Sequence, residues 1–174
     1  MYGRTSLNLE AALFYFDKKT RVQQLIHNLK YRGQEGLSDF LGQWLGAQLA
    51  EAAAFNQIDC VMPVPLHKSR LRERGYNQVA GFGKAIAQCL NKPYYDHILY
   101  RTKATRTQVF LNRVFRGTEV LDSFAVTETI SLQGKHILLV DDLITTGGTV
   151  EGCALALEKI PEIKLSVAVM AIAQ

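Results

Sequence analysis

The 174-residue chain lacks the features that mark membrane, secreted and disulfide-stapled proteins. No apolar run approaches the roughly 20 residues that a membrane-spanning helix needs, and no basic segment with an apolar stretch and a cleavage site opens the chain. The three cysteines lie far apart without a C-x-x-C pair, so neither a disulfide framework nor a zinc ribbon is visible. We therefore expect a cytoplasmic, single-domain protein whose core needs no crosslinks, with no membrane association.

Acidic residues are scarce in the middle third of the chain. Residues 67–116 contain eleven lysines and arginines but only two acids, Glu73 and Asp96, which gives a net charge of +9. Residues 1–66 are balanced, whereas residues 117–174 carry a net charge of −5. This separation of charge indicates a polyanionic partner, either a phosphorylated small molecule or a nucleic acid.

Two common phosphate-binding motifs are also missing, because no G-K-[ST] and no G-x-G-x-x-G occurs. The segment Ile137–Thr149 instead reads I-L-L-V-D-D-L-I-T-T-G-G-T. Its apolar start predicts a strand buried on both faces, as in a parallel sheet, with Asp141 and Asp142 at the carboxyl end where ligands bind. The hydroxyl and glycine run can turn tightly and direct several N–H groups at one anion. Two acids alone could be solvated loop residues, or one of them could cap a helix, but this order predicts a sugar-phosphate site.

Hydrophobic periodicity predicts alternating strands and helices along the rest of the chain. Strands are predicted at Leu9–Phe16, Cys60–Val64 and Leu165–Ala173, with weaker ones over 94–100 and at Phe124 and Val126. Helices are predicted from Val22 to the Lys30–Gly33 stretch, over 39–55, over 79–90 with Asn77 as N-cap, and over 149–159. Residues 66–78 are too charged for a core, and residues 101–118 resemble a long mobile loop. The order of elements indicates an α/β domain with a largely parallel sheet.

The Val140–Thr149 stretch, V-D-D-L-I-T-T-G-G-T, resembles the signature of the type I phosphoribosyltransferases, which bind 5-phosphoribosyl-1-pyrophosphate. The resemblance implies their α/β fold, a mostly parallel central sheet flanked by helices, with a small N-terminal hood (residues 1–57) beside a core (residues 58–174). It also implies that Asp141 and Asp142, as the catalytic acids, hold the ribose hydroxyls directly or through Mg²⁺. The 5-phosphate would be bound by Thr145, Thr146, Gly147, Gly148 and Thr149.

Four further stretches are similar to the ComF/GntX branch of this superfamily, whose members are linked to DNA uptake in natural competence. They are A-L-F-Y-F (12–16), L-K-Y-R-G (29–33), P-V-P-L-H-K-S-R-L-R-E-R-G-Y-N-Q (63–78) and R-T-K-A-T-R-T-Q-V-F-L-N-R-V-F-R (101–116). The resemblance implies a pyrophosphate site formed by His67, Lys68, Arg70, Arg74 and Arg106. It places Arg106 on a flexible loop together with Arg101, Lys103, Arg113 and Arg116.

Several alternatives stay open at this point. His67 could be a general base or a capping residue, single arginines could be solvated surface charges, and Gln78 has no role that the sequence assigns. Members of the branch commonly start with a cysteine-rich zinc module, which is absent from this chain and was either lost or lies upstream. The branch also favours Asn near the position of Glu119.

The resemblance implies Mg²⁺-dependent binding of 5-phosphoribosyl-1-pyrophosphate and transfer of its phosphoribosyl group to an unidentified acceptor, in a competence-related protein. The alternative is a non-catalytic protein of the same fold that binds single-stranded DNA or a competence helicase. Type I relatives often pair, so the resemblance also allows a homodimer.

Overall fold

The computed structural model describes residues 6–17, 20–31, 35–102, 123–127 and 132–173. In chain order its elements are β1 (Glu10–Phe16), α1 (Arg21–Tyr31), α2 (Glu35–Glu51), a 3-10 turn (Ala53–Gln57), β2 (Cys60–Pro63), α3 (Lys68–Arg74), α4 (Ala80–Leu90), β3 (Leu99–Arg101), β4 (Phe124–Val126), β5 (His136–Ile144), α5 (Gly148–Leu157) and β6 (Lys164–Ala173).

The central sheet has four strands in the order β1–β6–β5–β2, and all neighbouring strands are parallel. Strand β5 lies between β6 and β2, and its residues 136–142 are all buried. This confirms the predicted strand with both faces covered, which explains why residues 137–140 are uniformly apolar. Strands β3 and β4 form a separate antiparallel pair.

Helices cover both faces of the sheet, and the sheet separates the apolar core into two clusters. On one side, here called the α4 face, residues of α1, α2 and α4 pack on Leu138 and Val140. On the other, the α5 face, residues of α5 and of the β3–β4 pair pack on Ile137 and Leu139. Side chains of β5 therefore alternate between the two faces, as expected for a strand.

Close contact between α2 and α4 builds the α4 face. A Cβ atom at Gly42 would lie 2.5 Å from the backbone oxygen of Phe82 and 2.8 Å from the Cβ of Ala85. Only glycine allows this approach, because any side chain would collide with the backbone of α4. The spacing of these two helices positions the N-terminal end of α4, which follows Gln78.

Most predicted elements are confirmed to within a few residues, but the predicted helix over 39–55 has the wrong limits. Helix α2 begins at Glu35 and ends at Glu51, since Ala52 is extended (φ −86°, ψ 105°) and a separate 3-10 turn follows. The weak strand over 94–100 is reduced to a bridge between Tyr94 and Val61, followed by β3.

The charged segment over 66–78 contains a helix that the sequence did not predict. Helix α3 buries none of its residues and ends at Gly75, whose φ of 82° is left-handed. Asn77 is not the N-cap of α4, because that position is held by Val79. Its side-chain oxygen instead accepts from the backbone N–H of Val79 at 3.3 Å, inside the turn that precedes the helix.

The predicted hood contributes to the same sheet and core as the rest of the chain, since β1 pairs with β6 and α2 packs against α4. The division of one domain into a hood (residues 1–57) and a core (residues 58–174) stays a prediction. Within the described ranges, no helix is long and apolar enough to cross a membrane.

Candidate functional site

The two adjacent acids at the end of β5 lie in different surroundings. Asp142 is only 4% exposed and belongs with the α4 face. Its Oδ2 accepts a hydrogen bond from Nε2 of Gln78 at 2.8 Å and lies 3.0 Å from Nζ of Lys30. One oxygen of this carboxylate is therefore engaged by two donors that come from distant parts of the chain.

Asp141 is also buried but is directed toward the α5 face. Its Oδ1 accepts the backbone N–H of Asp142 at 2.8 Å. Burial, and then the charge of Asp142, raise the pKa of Asp141, whereas Lys30 and Arg101 act in the opposite direction. Burial and the charge of Asp141 in turn raise the pKa of Cys153 in α5. Asp141 is thus a carboxyl group whose ionisation a nearby cation would favour.

The Thr–Gly run continues directly from these acids. Thr145 and Thr146 are exposed, and Gly147 adopts a left-handed φ of 81° just before α5 begins. Residues 141 and 143–150 line a small cavity. The first turn of α5, with its unpaired N–H groups and the positive end of the helix dipole, therefore borders the cavity beside Asp141.

Arg101 is close to this acid from the other side. It was expected on the flexible loop, but it is the last residue of β3, and its guanidinium lies 5.1 Å from the centre of the Phe124 ring. Burial lowers the pKa of Arg101, the charge of Arg70 lowers it further and that of Asp141 raises it. Arg101 is therefore near Asp141 and also near Arg70.

The other predicted pyrophosphate residues fall into separate groups. His67 is the N-cap of α3, since its Nδ1 accepts from the backbone N–H of Ser69 at 3.1 Å, which confirms the capping alternative. Lys68 and Arg70 are exposed on α3. Arg74 is directed inward, and its Nη1 donates to Oε1 of Gln78 at 2.8 Å. Arg106, Lys103, Arg113, Arg116 and Glu119 lie outside the described residues.

Sequence reasoning missed Lys30 and Gln78, which both contact Asp142. Each belongs to a stretch shared with the ComF/GntX branch, L-K-Y-R-G and R-G-Y-N-Q. Membership of those stretches was the only signal that pointed to them, because a lysine at a helix end and a glutamine in a polar loop are ordinary surface residues.

The acid pair is chemically suited to Mg²⁺. Among the residues that the structure describes, Oδ2 of Asp141 and Oδ1 of Asp142 have no hydrogen-bond partner, so two hard oxygen donors are available. No group of three or more His, Cys, Asp or Glu that could hold a metal occurs in the same ranges. Proteins often bind Mg²⁺ with one or two carboxylates, while water and substrate phosphates supply the other ligands.

Solved structures share the fold. One is an adenine phosphoribosyltransferase whose sequence is 19% identical. The match covers 79% of this chain and 70% of that chain, with a TM-score of 0.51. Another is the glutamine phosphoribosylpyrophosphate amidotransferase from B. subtilis, whose sequence is 17% identical. The match covers 83% of this chain and 30% of that chain, with a TM-score of 0.53. The mostly parallel sheet flanked by helices is thus a type I phosphoribosyltransferase fold, which confirms the predicted fold class.

No protein-family model matches the chain, but curated relatives indicate which group of proteins it resembles within this fold. DNA utilization protein YhgH of Escherichia coli (strain K12) is 30% identical over 132 residues, 74% of this chain and 57% of that protein. Competence protein F of Haemophilus influenzae is 29% identical over 140 residues, 78% of this chain and 61% of that protein. Competence protein ComFC of Bacillus subtilis is 32% identical over 99 residues, 56% of this chain and 37% of that protein.

These relatives support assignment of the chain to the ComF family. It spans less than two thirds of the length of the relatives named above.

Proposed function

We propose that this protein binds 5-phosphoribosyl-1-pyrophosphate together with Mg²⁺ and transfers its phosphoribosyl group to an acceptor still to be identified. The observation that carries the proposal is the arrangement around Asp141. A carboxyl pair, a Thr–Gly turn at the start of α5 and Arg101 lie together at the carboxyl end of β5, and Arg70 is near Arg101. Such a site offers acceptors for hydroxyl groups and donors for phosphates side by side.

Each part of the site has a task in this proposal. The free oxygens of Asp141 and Asp142 accept hydrogen bonds from the ribose hydroxyls, and residues 145–149 bind the 5-phosphate with backbone N–H groups and hydroxyls. Arg70 and Arg101 donate to the pyrophosphate, which gains charge as its bond to ribose breaks. Bound Mg²⁺ would neutralise part of that charge. Because this charge is larger in the transition state than in the bound substrate, these cations favour transfer more than binding.

Isothermal titration calorimetry with 5-phosphoribosyl-1-pyrophosphate and Mg²⁺ is the direct test. Wild type is expected to bind, and the Asp141→Asn/Asp142→Asn double variant is expected to lose binding while remaining folded. Asp59→Asn is the matched control, because Asp59 lies at the opposite end of β5, where its Oδ2 accepts the N–H of His136 at 2.8 Å. Absence of binding by wild type would refute the proposal. Release of pyrophosphate in the presence of a panel of bases and amines would identify the acceptor.

A second candidate function is binding of single-stranded DNA in a competence-related role. It is favoured by α3, which buries none of its residues and exposes Lys68, Arg70 and Arg72, and by relatives named for DNA utilization and competence. Fluorescence anisotropy with labelled single-stranded DNA should then show affinity that falls steeply with salt. Arg72→Gln should weaken DNA binding but leave the binding of 5-phosphoribosyl-1-pyrophosphate unchanged. A helicase partner, a homodimer and a cytoplasmic location stay predictions.

A further inference from the structure

Two residues from family stretches, Lys30 and Gln78, have no task in the proposed site, and both contact one carboxylate oxygen. Lys30, near the end of α1, lies 3.0 Å from Oδ2 of Asp142 through its Nζ. Gln78, in the turn between α3 and α4, donates to the same oxygen through Nε2 at 2.8 Å. Two segments that are distant in the sequence therefore contact a single buried atom.

The orientation of Gln78 is fixed by its other contacts. Its Oε1 accepts from Nη1 of Arg74 at 2.8 Å, so the amide must present its N–H group to Asp142. Its backbone oxygen accepts from the hydroxyl of Ser38 at 2.7 Å, and that hydroxyl accepts from the N–H of Phe82 at 3.0 Å. Gln78 is only 5% exposed. The side chain is therefore preorganised toward Asp142.

The same turn also places Lys30. The hydroxyl of Tyr76 donates to the backbone oxygen of Leu29, the residue before Lys30. Nδ2 of Asn77 donates to the backbone oxygen of Val64, just beyond β2, at 3.1 Å. Residues 74–78 thus join α1, the end of β2 and the end of β5, and fix the lysine and the glutamine relative to each other.

The positive charge of Lys30 compensates the negative charge of the acid pair. Two adjacent buried carboxylates repel each other, and an unpaired buried charge is costly. The side chain of Lys30 is 24% exposed and that of Asp142 is 5% exposed, so their attraction is only partly screened by water. Lys30 supplies positive charge at the acid pair even without a metal.

We propose that Lys30 and Gln78 are positioning residues that hold Asp142 as an oriented anion, and that Lys30 is a resident cation that reduces the demand of the acid pair for a divalent metal. The part that concerns ligand binding rests on the proposed function. Because Oδ2 of Asp142 is engaged, a ribose hydroxyl would use Oδ1 of Asp142 and the carboxyl group of Asp141. Gln78 contributes orientation and Lys30 contributes charge.

Binding of Mn²⁺ alone, measured by electron paramagnetic resonance, tests the resident cation without any other ligand. Lys30→Met leaves the acid pair uncompensated and should tighten Mn²⁺ binding about tenfold, the low end of the effect of one charge-assisted contact. Lys30→Arg keeps the charge and should bind Mn²⁺ like wild type. Lys135→Met is the matched control, because Lys135 pairs with Asp59 at 3.5 Å at the opposite end of β5. Equal Mn²⁺ binding by Lys30→Met and wild type, or none by either, overturns the inference.

Calorimetry with 5-phosphoribosyl-1-pyrophosphate separates charge from orientation. The ratio of the Kd without Mg²⁺ to the Kd with Mg²⁺ should rise about tenfold in Lys30→Met, by the same reasoning. Gln78→Leu should weaken binding in both conditions and leave that ratio unchanged. If Gln78→Leu fails to fold in a thermal melt, Gln78→Asn replaces it, since the shorter amide cannot reach Asp142. Loss of binding by wild type refutes the proposed function, whereas the Mn²⁺ experiment still decides the role of Lys30.

Discussion

At the carboxyl end of β5, the two neighbouring acids Asp141 and Asp142 have different surroundings on the two faces of the sheet. On the α4 face, Asp142 is held by Lys30 and Gln78, which are brought to it by tertiary packing. On the α5 face, Asp141 borders a cavity formed by the segment that directly follows it in the sequence. Adjacent residues on a strand point to opposite faces, so a pair of acids in the sequence is not a pair of equivalent groups in the structure.

In the proposed function, this difference assigns support to one face and ligand binding to the other. The α4 face depends on the close approach of α2 and α4, and it fixes one acid. The α5 face depends on the backbone conformation of a short turn, and it presents the other acid to the cavity. Substitutions that act on one face should therefore have consequences different from those on the other.

The largest expected effect is at the contact between α2 and α4. Gly42→Ala should lower the free energy of unfolding by about 2–3 kcal/mol, because forcing extra atoms into a packed contact shifts the backbone, and the new Cβ would lie 2.5 Å from the oxygen of Phe82. Urea unfolding measures the loss. Gly36→Ala, on the same helix with no atom within 4 Å of the added Cβ, should leave stability nearly unchanged. Similar losses in both variants would contradict the role of close packing.

The next effect concerns the turn on the α5 face. Gly147→Ala places a side chain at a φ of 81° and should cost about 1–2 kcal/mol, the penalty of left-handed backbone for other residues. Thermal unfolding without ligand should show this loss for Gly147→Ala. It should show none for Gly148→Ala, since Gly148 is not among the positive-φ residues. An equal loss of stability in Gly148→Ala would contradict the assignment of the left-handed residue of this turn to Gly147.

Asp142→Asn should weaken the α4 face more modestly. The substitution removes the charge that Lys30 pairs with and the anionic acceptor of Gln78. We expect a loss of about 1 kcal/mol in urea unfolding, as for one hydrogen bond to a partly solvated charged group. The loss should be smaller in a Lys30→Met background, because no lysine charge is then left unpaired and only the contact with Gln78 changes. An undiminished loss in that background would show that Lys30 does not depend on Asp142.

Asp141→Asn should have the opposite sign and depend on pH. Since folding raises the pKa of Asp141 above its ordinary 3.8, folding favours the protonated carboxyl group, and stability is lost as pH rises from that value through the folded-state pKa. Asn cannot ionise, so the variant should melt about 2–4 °C above wild type near pH 8, the shift expected for about 1 kcal/mol. The difference should vanish near pH 4 in the absence of ligand and divalent ions. A constant difference across this range would exclude ionisation as its cause.

The fold, and the position of the acids and the Thr–Gly turn at the end of β5, could be predicted from the sequence because both depend on local patterns. Ile137–Val140 is apolar on both faces of β5, and Thr145–Gly148 follows the acids in the order of a phosphate-binding turn. Sequence reasoning missed α3, whose charged residues have no apolar stripe to reveal a helix. It also assigned Arg101 to a loop, because a three-residue strand such as β3 is too short to show periodicity.

The sequence by itself determined the parallel α/β architecture, the acids at the end of β5 and the turn that follows them, since backbone propensity and burial act over a few neighbouring residues. Only the tertiary structure decided that Lys30 and Gln78 meet at Asp142 and that Arg101 approaches Asp141. Those encounters depend on how α1, the turn before α4 and β3 pack around the sheet. Electrostatic contacts between distant segments leave no periodic trace in the chain, because charge acts through space rather than along the backbone.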